Sequence, residues 1–185
     1  MTNFTYSIPT VVHFGEGQIK KLGAEIAARA RKVLVVYGGG SVKRNGVFDA
    51  AVAQLKAHNV QWAELPGVEP NPRIATVREG VRLCREQGLD GVLALGGGSV
   101  IDCAKGVAAG ALYDGDPWDF SGKKLTPERA LPIFTVLTMA ATGSEMDNIA
   151  VISNPETNEK ESFAGPCCYP AVSILDPTYT YSLPA

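Results

Sequence analysis

The run Val92-Leu93-Ala94-Leu95-Gly96-Gly97-Gly98-Ser99-Val100-Ile101-Asp102-Cys103-Ala104-Lys105 decides how this chain folds. Its first part belongs to a short apolar stretch, Gly91 to Leu95, which reads as a strand covered on both faces. Its second part begins a helix after Gly98, with Val100, Ala104, Val107 and Ala111 falling on one inner face. Strand, glycine turn and helix together make one βα unit. The same order stands earlier in the chain, where Val33-Leu34-Val35-Val36-Tyr37 runs into Gly38-Gly39-Gly40-Ser41 and then into Val47, Ala51 and Leu55 at helical spacing. Val60 to Leu65 and Pro132 to Leu137 read as two more strands, and Thr10 to Phe14, Ile149 to Ile152 and Ala171 to Leu175 as weaker ones. Ile19, Leu22 and Ile26 mark another helix face, as do Ile74, Val77, Val81 and Cys84, with Gly88 placed to end that helix in a left-handed conformation. The alternation predicts an α/β fold: a Rossmann-like, mostly parallel sheet flanked by helices, with an N-terminal strand and a β-hairpin toward the C-terminus. The hairpin turn is Asn154-Pro155-Glu156-Thr157-Asn158, and Asp114 to Ala130 reads as a surface excursion.

Composition bounds the function. The 185 residues are 45% hydrophobic and 19% charged, an ordinary balance for one globular domain. Seventeen Lys and Arg against nineteen Asp and Glu give a net charge of -2, with no block of either sign to attract nucleic acid or an anionic membrane. The uncharged stretch leading to Ser144 is broken by Pro132 and Gly143, which argues against a transmembrane span. Met1-Thr2-Asn3-Phe4-Thr5-Tyr6 lacks the basic start and apolar stretch of a secretion signal, so a cytoplasmic location is expected. Cys84, Cys103, Cys167 and Cys168 have no Cys-x-x-Cys spacing and no neighbouring His, which argues against structural zinc. Cys84 and Cys103 read as buried reduced thiols. His13 and His58, the two histidines, read as packing or surface residues.

The chemistry lies in the repeated Gly-Gly-Gly-Ser. Glycines let backbone amides approach a phosphate, and the following helix aims its unpaired amides and positive dipole end at the same point. Two such turns on one sheet edge predict an extended ligand with separated phosphates, of which a dinucleotide is the commonest. Lys43 and Ile101 stand where the usual G-x-G-x-x-G fingerprint needs its last glycine, so the site has another pattern. A Walker loop fails because Pro117 stands five residues before Gly122-Lys123. The plainer account makes the glycines tight turns, with Ser99 and Asp102 forming a capping box and Asn45-Gly46 delaying the helix start. An acid that would accept from an adenosine ribose 2'-hydroxyl is missing after Tyr37 until Asp49, whereas Ser41, Lys43 and Arg44 offer charge-assisted bonds to a 2'-phosphate. NADP(H) is therefore favoured over NAD(H).

These residues, with Leu137-Thr138-Met139-Ala140-Ala141-Thr142-Gly143-Ser144-Glu145 and Pro9-Thr10-Val11-Val12-His13-Phe14-Gly15, resemble the iron-containing (group III) alcohol dehydrogenases. The branch most resembled is that of the butanol dehydrogenases and NADPH-dependent aldehyde reductases, from about Asn3 to Pro184. The resemblance implies that Gly38, Gly39, Gly40 and Ser41 surround the adenosine end of the cofactor, with Asn71 nearby. It implies that Gly97, Gly98 and Ser99 hold the pyrophosphate and that Asp102 lies near the ribose and nicotinamide. Thr138 and Thr142 would give hydroxyls to the cofactor, and Asp147 and Lys160 would flank its nicotinamide half. Asp147 departs from relatives that carry Asn or Thr there.

The resemblance further implies a helical domain after residue 185 that binds a divalent metal, iron or zinc, through one Asp and three His. Residues 1–185 are then expected to be the dinucleotide-binding domain alone, with no catalytic or metal residue of its own and inactive in isolation. The expected substrate is a small primary alcohol or aldehyde, and the apolar face turned toward the second domain makes a homodimer the expected assembly. A free-standing nucleotide-binding module is the alternative, and a glycerol dehydrogenase or dehydroquinate synthase relative a third reading. Glu145 and Asp147 read either as a carboxylate pair for acid/base work or, more plainly, as acids capping local amides.

Overall fold

The computed structural model describes residues 7–181. Residues 1–6 and 182–185, on which the expectation of no secretion signal and the end of the resembling stretch fall, lie outside the described residues. Five strands precede a small hairpin: β1 (Val11–Phe14), β2 (Lys32–Tyr37), β3 (Gln61–Leu65), β4 (Gly91–Gly96) and β5 (Ile133–Leu137). The hairpin pairs β6 (Ile149–Asn154) antiparallel with β7 (Glu159–Ala164) around the expected turn, and β8 (Val172–Leu175) follows. Strands β1 to β5 and β8 form one sheet in the order β1-β8-β5-β4-β2-β3, with all five pairings parallel. The helices are α1 (Leu22–Ala27), α2 (Ser41–Arg44), α3 (Val47–Ala57), α4 (Ile74–Gln87) and α5 (Gly98–Ala111).

Strand residues alternate between two cores because successive side chains leave a sheet on opposite faces. Leu34, Val36, Val92, Ala94, Ile133 and Leu137 pack under α4 and α5, whereas Val33, Val35, Leu93, Leu95, Phe134 and Val136 pack under α1 and α3. This two-sided cover explains why β2, β4 and β5 are nearly continuous apolar runs, the buried Thr135 of β5 giving its hydroxyl proton to Ser173 Oγ at 2.8 Å. Helices α4 and α5 cross in close contact at Gly80, where a Cβ would stand 2.5 Å from a Val107 methyl. Gly88 ends α4 at φ 60°, and its N–H bonds back to the Cys84 carbonyl.

One expectation needs correction. The stretch from Asp114 to Ala130 is not wholly a surface excursion, because the 3-10 turn Pro117–Lys123 buries Phe120 between the rings of Tyr113 and Phe163. That aromatic fills space between the end of α5 and the hairpin, and hydrophobic burial overrides a polar local composition.

All four cysteines are free thiols. Burial pushes both Cys84 and Cys103 up to about 12 and raises Cys168 as well. In the native chain iodoacetamide at pH 8 should therefore modify the half-buried Cys167 first, with the other three reacting only after urea unfolding. Peptide mass spectrometry checks this, and early labelling at Cys103 would contradict the buried assignment.

The chain crosses the sheet in two directions. From β2 it passes through α3 to β3 on one side, and from β4 through α5 to β5 on the other. The direction reverses between the neighbouring strands β2 and β4, so α3 and α5 leave toward opposite faces. A crevice must open at the carboxyl ends of these two strands.

Candidate functional site

Both Gly-Gly-Gly-Ser turns stand at that crevice, one after each of the two strands. The first leads into the single turn of α2, with Gly40 left-handed at φ 88°; helical structure therefore begins before Asn45-Gly46, and only the longer α3 is delayed until after Gly46, at φ 82°. The second leads directly into the fourteen-residue α5, whose N-cap is Gly97 and whose first amides receive no side-chain cap. A Cβ on Gly98 would lie 3.0 Å from Thr142 Oγ1, and one on Gly97 would lie 3.5 Å from Met139, so bare backbone keeps this approach open. Uncapped amides at the positive end of a long helix suit an anion.

The expected Ser99–Asp102 capping box does not form. Ser99 Oγ accepts instead from the Asn71 N–H at 3.3 Å. The Asp102 carboxylate takes the Ser144 hydroxyl on Oδ1 at 2.7 Å and the Val151 N–H on Oδ2 at 3.0 Å. Distant partners delivered by the fold displace the local one. Asn71 is held left-handed at φ 57°, and its side-chain oxygen accepts from Lys160 Nζ at 2.7 Å, joining the β3–α4 loop to the hairpin across the mouth of the crevice. The Thr138 N–H donates to the Gly96 carbonyl at 3.1 Å and so fixes the end of β5 against the second turn.

The resulting cleft has a volume of about 600 Å³. Gly38, Gly39, Ser41, Asn71, Gly97, Gly98, Ser99, Asp102, Thr138, Thr142 and Lys160 all line it. Gly40 and Asp147 do not. The sequence reading missed Val68, Pro70, Met139, Val151 and Tyr179, which also line it and carry no local signal beyond hydrophobicity.

Asp147 is turned to another task. Its carboxylate caps the Ile149 N–H at 2.8 Å, as the plainer reading expects, and also takes Lys105 Nζ at 2.7 Å. Lys105, on α5, is fully buried, and its ammonium donates further to Ser144 Oγ at 2.9 Å and the Ile149 carbonyl at 2.8 Å. Burial lowers the Lys105 pKa, opposed by the Asp147 bond, and burial raises that of Asp102, opposed by Ser144 and Val151. No pattern in the sequence marks Lys105, since a lysine beside inner-face alanines looks like a surface residue.

At the other end of the cleft, Lys43 does not stand free. Its ammonium is 2.8 Å from Glu64 Oε2 and lies over the Phe48 ring, while Tyr37 donates to the same carboxylate at 2.6 Å. Arg44 is exposed, beside Gly40. His13 bonds Glu25 and His58 bonds the Gln54 carbonyl, both away from the cleft. Among the described residues no three His, Cys, Asp or Glu side chains gather as a metal site, and no helix is long and apolar enough to cross a membrane.

Fold and crevice together define a doubly wound α/β domain with glycine turns at its switch point, the class of architecture that nucleotide-binding domains use. The chain belongs to the iron-containing alcohol dehydrogenase family, whose profile matches residues 9–177. It is 55% identical to the NADH-dependent butanol dehydrogenase A of Clostridium acetobutylicum, a match covering 100% of this chain and 47% of that protein. It is 44% identical to an NADPH-dependent aldehyde reductase of Escherichia coli, over 100% of this chain and 48% of that protein. The crystal structure of NADH-dependent butanol dehydrogenase A from Thermotoga maritima superposes with a TM-score of 0.95 at 51% identity, covering 100% of this chain and 46% of that one. The chain thus spans about half the length of these relatives.

Proposed function

We propose that residues 1–185 are the cofactor-binding domain of a metal-dependent alcohol dehydrogenase or aldehyde reductase that moves a hydride between NADP(H) and a small primary alcohol or aldehyde. The observation that carries this reading is the pair of glycine turns at one switch-point crevice, the second opening onto helix amides that no side chain caps. Nicotinamide, when bound, supplies the hydride acceptor or donor. The Gly97 and Gly98 turn and Ser99 hold the pyrophosphate against the start of α5. Gly38, Gly39 and Ser41 enclose the adenosine end, with Asn71 beside it and Gly40 shaping the turn from outside the cleft. Asp102 accepts from a ribose hydroxyl, Thr138 and Thr142 orient the nicotinamide half, and Lys160 closes the rim from the hairpin.

The described residues do not fit the divalent metal, and its ligands are proposed for the half of the relatives' length that this chain does not span. By itself the chain is proposed to bind cofactor without turning over alcohol. A homodimer in the cytoplasm is proposed for the complete protein. The exposed apolar residues Val11, Val12 and Phe14 on edge strand β1 support self-association.

The preference for NADP(H) rests on charge at the adenosine end. No acid follows β2 in the first turn, and Arg44 stands there uncommitted to a carboxylate among the described residues. Lys43 contributes less than its sequence position implies, because Glu64 neutralises it. Fluorescence titration of the chain with NADPH and NADH tests both levels. NADPH should bind several-fold more tightly, and Arg44→Ala should weaken NADPH about 5- to 20-fold with NADH little changed, the loss of one charge-assisted phosphate contact. Equal affinities, or tighter NADH, would overturn the preference. Binding of neither dinucleotide at millimolar concentration would overturn the functional reading itself.

A further inference from the structure

The fully buried ammonium of Lys105 touches no cleft surface, yet it sits two bonds away from a carboxylate that does. An ammonium can only donate. Because Lys105 donates to Ser144 Oγ, that hydroxyl must aim its own proton elsewhere, and the structure shows it aimed at Asp102 Oδ1. The Val151 N–H occupies Oδ2. Both Asp102 oxygens are thereby fixed as acceptors, which selects the ionised carboxylate in a half-buried place where burial alone favours the neutral acid. The other two donations of Lys105, to Asp147 and the Ile149 carbonyl, tie down the segment that runs from Thr142 into β6.

The geometry points to Lys105 as a positioning residue that acts on the cofactor site through Ser144, holding Asp102 as an ionised, correctly turned acceptor on the cleft wall. The inference rests on the dinucleotide reading given above and deepens it by assigning a role to a side chain that meets no cofactor atom. The groups facing this network are Asp147 from the segment before β6, Cys168 from the turn after β7 and Cys103 on α5 itself. Lys160 and Tyr179 stand elsewhere on the same wall.

Ser144→Ala is the decisive variant, because it cuts the link to Asp102 while leaving Lys105 bonded to Asp147 and Ile149. Carbon-13 NMR of the Asp102 carboxyl in the cofactor-free chain should show its titration midpoint rise by about one pH unit, the worth of one lost hydrogen bond to a carboxylate. NADPH binding should weaken about 5- to 10-fold in the same variant at a pH below its raised midpoint, with a smaller loss well above that midpoint, where Asp102 is ionised in both proteins. Lys105→Met should move the midpoint in the same direction, and by less in the Ser144→Ala background than in the parent, with Lys105→Gln taking its place should the methionine variant fail to fold. Equal shifts in the two backgrounds would overturn the role of Ser144 as the link. An unmoved Asp102 midpoint in Ser144→Ala would overturn the proposal and leave Lys105 as a structural tie only. Failure of the unmodified chain to bind NADPH would overturn the dinucleotide reading instead, and the carboxyl titration, which needs no cofactor, would still decide the relay.

Discussion

Gly98→Val is expected to lower NADPH affinity at least 100-fold while leaving the fold standing. A β-carbon at this position would meet Thr142 Oγ1 at 3.0 Å, and the added methyls would project into the space through which a phosphate reaches the first amides of α5. Losing two charge-assisted backbone contacts, each worth ~1.5 to 3 kcal/mol, amounts to a factor of about 100 or more. Stability should change by less than about 1 kcal/mol, since glycine itself is a poor helix former and Gly98 does not adopt a left-handed conformation. Thr142 is exposed and free to turn aside, so the clash falls on the ligand and not on the core. Gly39→Ala is the internal comparison: nothing lies within 4 Å of the point where its Cβ would stand, and the first turn leads only into the four residues of α2, so a weaker effect is expected there. Titration together with thermal unfolding separates the two contributions. A Gly98→Val protein that binds NADPH within threefold of the parent would show that this turn cradles no phosphate.

Burial on both faces makes the central strands legible in the sequence and so locates the glycine turns that follow them. Strands buried on both faces are almost wholly apolar, so β2, β4 and β5 declare themselves in the chain, and the turns that follow them are located to the residue. Strand β7, Glu159-Lys160-Glu161-Ser162-Phe163-Ala164, is mostly polar and buries only Phe163; only its turn is visible in the sequence. The capping box at the head of α5 illustrates the opposite limit. Ser99 and Asp102 have the right spacing, but Asn71 is 28 residues away from one and Ser144 is 42 from the other, and those tertiary partners take both side chains. Lys105 is the extreme case. Its burial depends on three acceptors that arrive from 39, 42 and 44 residues further along, and no local window contains them. Periodicity reveals which face of a helix is covered, whereas the charge state of what lies beneath is a property of the assembled loops.

The second large effect follows from that buried lysine. Asp147→Ala should destabilise the chain by about 2 to 4 kcal/mol at pH 7, because it leaves the Lys105 ammonium buried with only a hydroxyl and a carbonyl as acceptors. The figure is set below the ~3 to 5 kcal/mol of a wholly buried pair because the Asp147 side chain is 36% exposed, and water already screens part of its attraction. Dependence on pH gives the effect its signature. Burial holds Lys105 below its ordinary 10.5, so between the lowered value and 10.5 the unfolded chain binds more protons than the folded one, and stability rises with pH across that window. Removing Asp147 takes away the bond that was raising the lysine, so its pKa falls further and the window opens at lower pH. The deficit relative to the parent is therefore largest near neutrality and shrinks as the solution becomes alkaline. Urea unfolding of both proteins at pH 7 and pH 9.5 measures it. A deficit under about 0.5 kcal/mol at pH 7, the range of an ordinary surface change, would mean that the pair contributes no more than an exposed one, and a deficit that grew with pH would mean that the buried charge resides elsewhere.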